Sequence, residues 1–346
     1  MFICLSSGAS PRYRKDILLS IAMPKGSNLQ FRYDLKWISQ EARNSLCNDR
    51  SENMLCLIAY IDQSDETKTP EIIPCRFAKI KETKSHGTTT SLILELEDLA
   101  YAEDLINFNK NLRSKYKELP MWQNGAIRGF YWLKIKDEDV NILKSIDPGT
   151  WEKVITQLAS HSDFSGESWF YLFQGLYPLR TKEPITHKDG KYVIKHRCEY
   201  EIQIYHYHPN KIPQNAGIIL TSASQMLKFM ENPLLILDSR YDLKRVHFKT
   251  GEPLGSEYVT LSILRTDDVK IDKSGYWEFD ILLRIKGTFW KTLGYGIIIG
   301  ILLAAPQISI TLSNPTLKYQ SIISIIQGLA SLIVGILVAF GQKKLV

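Results

Sequence analysis

The sequence predicts an α+β N-terminal domain, a β-sandwich-like second domain and a C-terminal two-helix transmembrane hairpin. Three observations support this fold class: mixed helix and strand periodicities over residues 1–180, regular alternation over 181–287, and two long uncharged segments at 292–312 and 321–340. We therefore expect domains at 1–180, 181–287 and 288–346. The chain of 346 residues is long enough for such a division, since domains commonly have roughly 100–200 residues.

Residues 1–180 carry both strand and helix signals. Clusters of β-branched and aromatic residues predict strands at 17–22, 54–62, 72–81, 90–96 and 127–135. Helical spacing predicts helices at 35–46, 102–119 and 150–160, the last with Thr150 as its N-cap. The polar stretch 180–190 contains Pro and Gly and is the best linker candidate.

The next region reads as β-sheet. Residues 192–208 alternate between apolar and polar side chains, and similar strands are predicted at 233–238, 243–249, 257–264 and 276–286. Such strands, separated by turn signals, favour a sandwich. Only five residues, 287–291, separate the last strand from the first apolar segment, and the first two of them are Gly287 and Thr288. We therefore predict a gating joint at these two residues.

The two uncharged segments predict a membrane hairpin. They contain 21 and 20 residues, close to the roughly 20 that span a bilayer. Five basic residues flank their outer ends, against Lys318 alone in the loop between them. The lipid bilayer is thus an expected partner, with both termini cytoplasmic in a multi-pass protein of the bacterial inner (plasma) membrane. The alternative interpretation is a pair of buried core helices.

Small and polar residues form a stripe within these segments. Gln327 needs a polar partner, because lipid tails offer none. Close packing within the hairpin explains the stripe, as does the lining of a pore in a homo-oligomer, a tetramer or larger. The predicted pore or helix-packing residues are Gly296, Gly300, Ser324, Gln327, Gly328, Ser331 and Gly335.

The formal net charge of +6 is unevenly distributed. Residues 1–286 carry 39 Lys and Arg against 37 Asp and Glu, whereas 287–346 carry four Lys and no acidic residue. A nearly neutral region of this size argues against general coating of nucleic acid. The five scattered cysteines lack CxxC spacing, which indicates reduced thiols and neither a disulfide framework nor a zinc ribbon.

The sequence contains no catalytic motif, so it predicts no enzyme, no cofactor and no metal site. His206 and His208 share a strand face that could hold a metal. Because no third ligand is evident nearby, we interpret them as surface or sheet-edge histidines. His161 with Asp163 fits a hydrolytic site and a polar loop equally well.

Basic residues alternate with aromatic ones at 12–15, 110–117 and 240–249. Arg and Lys donate charge-assisted hydrogen bonds and Tyr offers a stacking face, so each cluster could bind a phosphate-bearing ligand. Solvated element faces are the alternative. The candidate anionic-ligand residues are Arg240, Lys244, Arg245, Lys249, Lys110, Arg113 and Lys117.

The chain thus has a long region without catalytic motifs, a joint at Gly287, and a predicted hairpin that contains the pair Gly296/Gly300 and Gln327. This layout resembles that of the membrane effectors of bacterial antiphage systems. Among them it is most similar in layout to the Hailong-type channel effector. The resemblance implies a domain that senses a nucleotide or oligonucleotide signal and a membrane part that oligomerises and breaches the inner membrane. The predicted function is an oligomeric ion channel gated by a cytoplasmic sensor region in antiphage defence. The alternatives are a membrane-tethered interaction or scaffold protein and a membrane-anchored enzyme with an unrecognised site.

Overall fold

The computed structural model of the chain describes residues 1–47, 54–143, 149–165, 170–209, 215–266, 276–287, 293, 294 and 297. The chain forms two compact units. The first comprises Met1–Val193, Cys198–Lys249 and Val259–Leu283, and the second comprises Ile194–Arg197, Thr250–Tyr258 and Arg284–Val346. The predicted boundaries at residues 180 and 287 stay predictions.

The N-terminal part of the first unit is built on one mixed sheet. Its strands are β1 (Phe2–Ser7), β2 (Asn28–Asp34), β3 (Leu55–Asp62), β4 (Glu71–His86), β5 (Thr89–Leu99), β6 (Met121–Gln123), β7 (Ala126–Arg128) and β8 (Trp132–Lys134). Six of them pair in the order β2-β5-β4-β3-β1-β8, and β6 pairs with β7. β1 is parallel to β3, whereas the other pairs in this sheet are antiparallel.

Short helices accompany this sheet. They are α1 (Pro11–Ala22), α2 (Gln40–Cys47), α3 (Leu105–Lys115), α4 (Gly149–Ala159) and α5 (Ser162–Ser165), with 3₁₀ turns at Leu35–Trp37 and Asp137–Val140. Alternate residues of β1 and β3 enter two different apolar clusters, one containing Cys4 and Ile58 and the other Leu5 and Ala59. Both faces of these strands are therefore buried, which explains their continuous apolar sequences.

The mixed sheet curls until its two edges meet. Register shifts in the β3/β4 and β4/β5 pairs mark bulges, which bend and twist strands. Ile38, just beyond β2, forms a parallel bridge with Trp132 of β8. The Tyr131 amide also donates to the Trp37 carbonyl at 2.8 Å. The segment after β2 is thereby held beside β8, the neighbour of β1.

Two further sheets follow. Their strands are β9 (Phe170–Pro178), β10 (His187–Lys188), β11 (Lys191–Ile194), β12 (Glu199–Tyr207), β13 (Gly217–Thr221), β14 (Leu227–Phe229), β15 (Leu234–Ile236), β16 (Tyr241–Thr250), β17 (Glu257–Thr266) and β18 (Tyr276–Ile285). The sheet orders are β14-β16-β12-β9 and β10-β11-β18-β17-β13-β15. The rings of Phe173 in β9 and Tyr192 in β11 lie 5.9 Å apart, which fits the expected sandwich-like layout.

The predicted fold class is nevertheless wrong. β-Strands far outnumber helices among the described residues. The longest helix, α1, has 12 residues, about 18 Å at 1.5 Å per residue. A membrane span needs roughly 30 Å, and no helix among the described residues is both long and apolar enough to cross a membrane. The predicted transmembrane hairpin, the transmembrane ion-channel description and the multi-pass inner-membrane location are corrected accordingly.

Most of the C-terminal site residues fall where nothing is described. Thr288 and the pore or helix-packing residues Gly296, Gly300, Ser324, Gln327, Gly328, Ser331 and Gly335 all lie outside the described residues. Gly287 is described, and a Cβ placed on it would overlap the backbone of Gly255. The space at this position therefore admits only glycine without a local shift.

Candidate functional site

A cavity of about 150 Å³ lies at the carboxyl end of β1, and we call it the aromatic pocket. It is smaller than the roughly 300–1,000 Å³ of sites for drug-sized ligands, so its volume suits one flat ring system. β1, α1, β2 and the segments that close the curled sheet supply its lining: Leu5, Ser6, Ser7, Ala9, Tyr13, Asp16, Phe31, Arg32, Tyr33, Asp34, Trp37 and Tyr131.

The loop after β1 positions the floor of this pocket. β1 is apolar, the residues Ser6-Ser7-Gly8-Ala9-Ser10 end it, and Pro11 stands in the first turn of α1. Proline suits this position because its fixed φ is already helical. The Ser6 hydroxyl donates to the Tyr13 carbonyl at 2.9 Å, which ties β1 to α1. The pocket therefore lies just outside the carboxyl end of β1, the strand whose neighbour β3 runs parallel to it.

Gly8 allows this loop to pass close to α5. A Cβ on Gly8 would overlap the carboxylate of Asp163. That carboxylate accepts a hydrogen bond from Tyr60 of β3, and the Asp163 carbonyl accepts one from Arg14 at 3.1 Å. The loop after β1, the end of β3 and α5 are thus joined around one glycine.

The N-terminal end of α1 lies at the edge of the aromatic pocket and carries positive charge. Its N-cap residue, Ser10, makes no side-chain capping hydrogen bond, and the first turn contains no acidic residue. The first N–H groups of a helix have no intrahelical partners and carry partial positive charge. Arg12, which is exposed, adds a full charge. This end of α1 suits an anionic group.

Aromatic side chains form the walls of the pocket. The rings of Trp37 and Tyr131 lie 5.4 Å apart at 80°. The Tyr131 hydroxyl is within hydrogen-bond distance of the Gln63 amide, at 2.6 Å from Nε2. The Tyr33 hydroxyl donates to the Leu5 carbonyl at 3.0 Å. These bonds hold the rings in place before any ligand arrives.

Asp16 is the unusual group in the aromatic pocket. Its partly buried carboxyl lines the cavity, and it forms no hydrogen bond or ion pair with the residues that the structure describes. Burial raises its pKa to about 6, although Arg12 and Lys15 act in the opposite direction. Because Asp16 is only partly buried and its carboxyl has no partner in the described part of the chain, its oxygens are available for donors of a ligand.

A second cavity, the polar pocket, has a volume of about 580 Å³ and includes Asp62 at the end of β3. His161 Nδ1 lies 2.7 Å from Asp62 Oδ2, and Nε2 lies 3.6 Å from Glu71 Oε2. Partial burial acts to raise the pKa of Asp62, but hydrogen bonds from the Ser64 amide and His161 outweigh it and lower the pKa. Both ring nitrogens of His161 thus face carboxylates, Asp62 on one side and Glu71 on the other.

Two of the predicted anionic-ligand residues, Lys110 and Arg113, line the polar pocket. Lys110 is exposed, and so is Lys117, two residues past the end of α3. The Arg113 guanidinium donates to the carbonyls of Pro70 and Pro120, and burial lowers its pKa. Arg113 therefore already holds two loops in place, while Lys110 is open to solvent.

The other four predicted anionic-ligand residues lie on or just before β16. Arg240 donates to the carbonyls of His208 and Pro209, at 3.3 and 2.7 Å. The other three pair with carboxylates: Lys244 with Asp238 and Asp242 at 2.7 and 2.9 Å, Arg245 with Glu201 at 3.5 Å, and Lys249 with Glu199 at 3.1 Å. The structure does not bring this group together with Lys110 and Arg113, which belong to α3. Their role in binding an anion stays a prediction.

The two strand histidines are not at the surface as expected. His206 and His208 are both buried, and burial, followed by the charge of Lys244, lowers the pKa of His206 to about 4. Across the described ranges, no group of three or more His, Cys, Asp and Glu side chains is arranged to hold a metal ion.

Sequence reasoning missed most of the aromatic pocket. Of its residues only Tyr13 belongs to a basic and aromatic cluster seen in the sequence. A usable signal was present, because the apolar run of β1 is followed by Ser and Gly residues and then by Pro11 at a helix start. The contributions of Trp37 and Tyr131 depend on the curl of the sheet, which no local pattern reveals.

Comparisons with known proteins do not place the chain in a family. No family model matches the sequence, and no curated protein matches it. Domains 4 and 5 of the S-layer protein SbsC align with a TM-score of 0.19 and 8% identity, over 34% of this chain and 56% of that one. The secreted serine protease VesC from Vibrio cholerae aligns with a TM-score of 0.18 and 8% identity, over 67% of this chain and 65% of that one. Similarities this weak carry no argument about fold or function.

Proposed function

We propose that this chain is a sensor protein that binds a nucleotide, or a signal molecule containing one, in the aromatic pocket. The observation that carries the proposal is the combination of ring walls, a carboxyl without a partner among the described residues and a positively charged helix start at one cavity. Antiphage signalling and a homo-oligomeric assembly fit a sensor and are part of the proposal, but a membrane channel is not.

The aromatic side chains suit the base of a nucleotide. Tyr13, Trp37 and Tyr131 offer stacking surfaces in a cavity sized for one ring system. Stacking of a base on an aromatic side chain contributes about 1–3 kcal/mol. The preformed arrangement of Trp37 and Tyr131 reduces the entropy lost on binding.

The start of α1 suits the phosphate of the same nucleotide. Ala9 and Tyr13 line the pocket, so the first turn of α1 lies at its rim. The free N–H groups of this turn and the exposed guanidinium of Arg12 favour a phosphate there. One ligand could thus place its base among the rings and its phosphate at the helix start.

Calorimetric titration of the full chain with GMP, AMP, CMP and UMP tests the proposal. We expect at least one of them to bind, and Tyr13→Ala to weaken that binding about 5- to 150-fold, which corresponds to 1–3 kcal/mol. Tyr13 is 42% exposed, so the variant should fold normally.

Tyr258→Ala is the matched control, because Tyr258 is exposed and does not line the aromatic pocket. It should bind the nucleotide as the unaltered chain does. No binding of any of the four nucleotides, or equal losses in the two variants, would refute the proposed function.

A further inference from the structure

We propose that Asp16 makes the aromatic pocket selective for guanine over adenine, an inference that rests on the proposed nucleotide binding. Asp16 and Tyr13 lie three residues apart in α1 and both line the pocket. Residues with this spacing share a helix face. The side chain that offers a stacking ring and the one that offers acceptor oxygens are thus presented together.

The chemistry of an ionised carboxylate decides which base edge it accepts. A carboxylate has two acceptor oxygens and no donor. Guanine presents two adjacent donors, N1–H and the 2-amino group, which can reach both oxygens at once. Adenine presents the lone pair of N1 beside a single amino group, so one carboxylate oxygen would face another acceptor. Hydrogen bonds to a charged acceptor are about twice as strong as neutral ones, which enlarges the difference.

Arg32 of β2 provides the complementary donors. It is exposed, it lines the aromatic pocket, and it has no hydrogen bond or ion pair within the described part of the chain. Arginine pairs with O6 and N7 of guanine, whereas adenine has an amino group in place of O6. An acceptor-only group and a donor-only group in the same pocket therefore match guanine and oppose adenine.

The remaining polar side chains of the pocket do not change this preference. The Ser6 hydroxyl already donates to the Tyr13 carbonyl, and the Ser7 side chain is hydrogen-bonded to Tyr131. Neither is therefore a free donor that would favour the N1 lone pair of adenine. The Tyr33 hydroxyl already donates to the Leu5 carbonyl. Asp34 is a second, exposed carboxylate that also favours donors on the ligand.

Calorimetric titration of the full chain with GMP, IMP and AMP at pH 7.5 tests this inference. IMP keeps the N1–H of guanine and lacks the 2-amino group. We expect GMP to bind at least about tenfold more tightly than AMP, with IMP between them. Asp16→Asn should weaken GMP binding by about tenfold or more and should leave AMP binding unchanged or tighter, because an amide can both donate to N1 and accept from the adenine amino group.

Asp98→Asn serves as the control, since Asp98 is exposed, pairs with Lys25 and does not line the pocket. It should keep the preference for GMP. Equal affinities of the unaltered chain for GMP and AMP, or a preference that survives Asp16→Asn, would overturn the inference while nucleotide binding stands. Absence of binding by all three nucleotides would instead remove the proposed function, and the inference with it.

Discussion

Asp16 destabilises the fold and also lines the candidate site. Its carboxyl is partly buried beside aromatic rings and has no partner among the described residues. Active and binding sites often keep groups that destabilise the fold, because the ligand supplies the missing interactions. The neighbouring residue Ile17 is fully buried in the apolar core, so α1 serves the core on one face and the pocket on another.

Replacement of Asp16 by Asn should stabilise the chain at neutral pH. Burial raises the pKa of Asp16 to about 6 from an ordinary value of 3.8, so the folded chain binds the proton more tightly than the unfolded chain. The ionised carboxylate therefore costs stability above pH 6, and this cost disappears as the pH falls towards 3.8. We expect Asp16→Asn to raise the free energy of unfolding by about 1–2 kcal/mol at pH 7.5, allowing for solvent screening.

Urea denaturation at pH 7.5 and pH 4.5 measures this effect, which should be small at the lower pH. Asp98→Asn provides the exposed comparison. An unchanged or lowered free energy of unfolding for Asp16→Asn at pH 7.5 would mean that the carboxylate has a stabilising partner in the fold.

At the scale of elements, the sequence predicted most strands but misjudged α1. The strands expected at 54–62, 90–96, 243–249 and 257–264 correspond to β3, β5, β16 and β17. The strand expected at 17–22 is instead the second half of α1. A short apolar run fits either a strand or a buried helix, and here the burial of Ile17 and Ile21, four residues apart, shows the helical period.

The long strand expected over 192–208 is divided into two strands in the structure. β11 ends at Ile194 and β12 begins at Glu199. Between them Arg197 has φ of 52°, a left-handed conformation that breaks a strand. Glu201, expected on the polar face, is buried and pairs with Lys182, Arg245 and His247. Alternation alone did not reveal that two cations and a histidine would surround it.

The loop after β1 gives a prediction at this scale. Gly8→Ala should lower the free energy of unfolding by about 1–2 kcal/mol, because its Cβ would displace the Asp163 carboxylate from its bond with Tyr60. Gly149→Ala is the control, since a Cβ there meets nothing within 4 Å. Thermal unfolding compares the two, and equal melting temperatures would show that the Gly8 loop tolerates a side chain.

For the whole molecule, two histidines with low pKa values predict sensitivity to acid. Burial lowers the pKa of both His187 and His206 to about 4, from 6.5. Because the unfolded chain then binds these protons more tightly, their neutral forms give full stability above pH 6.5. That stability is lost as the pH falls towards 4, by up to about 1.4 kcal/mol per pH unit for each histidine.

His206→Leu should weaken this acid sensitivity, since leucine removes the titrating ring from a buried position. Between pH 7 and pH 5 its free energy of unfolding should fall by about 1–2 kcal/mol less than that of the unaltered chain. His86→Leu, at an exposed position, should keep the original slope. The same slope in both variants would exclude His206 as a cause of acid sensitivity.

The sequence-based account of the whole chain depended on its last sixty residues. The uncharged segments at 292–312 and 321–340 led to the predicted hairpin, channel and membrane location, whereas no described helix is long and apolar enough to cross a membrane. The site proposed instead lies near the N-terminus and is assembled from residues 5–131. Such a site is invisible to local patterns because its residues meet only when the sheet curls.

Hydrogen exchange of the full chain with and without GMP tests the central claim most directly. If the aromatic pocket binds a guanine nucleotide, GMP should slow amide exchange in the loop after β1, in the first turns of α1 and at 31–37, because these segments line the pocket. An unchanged exchange pattern, or protection confined to other segments, would contradict the account.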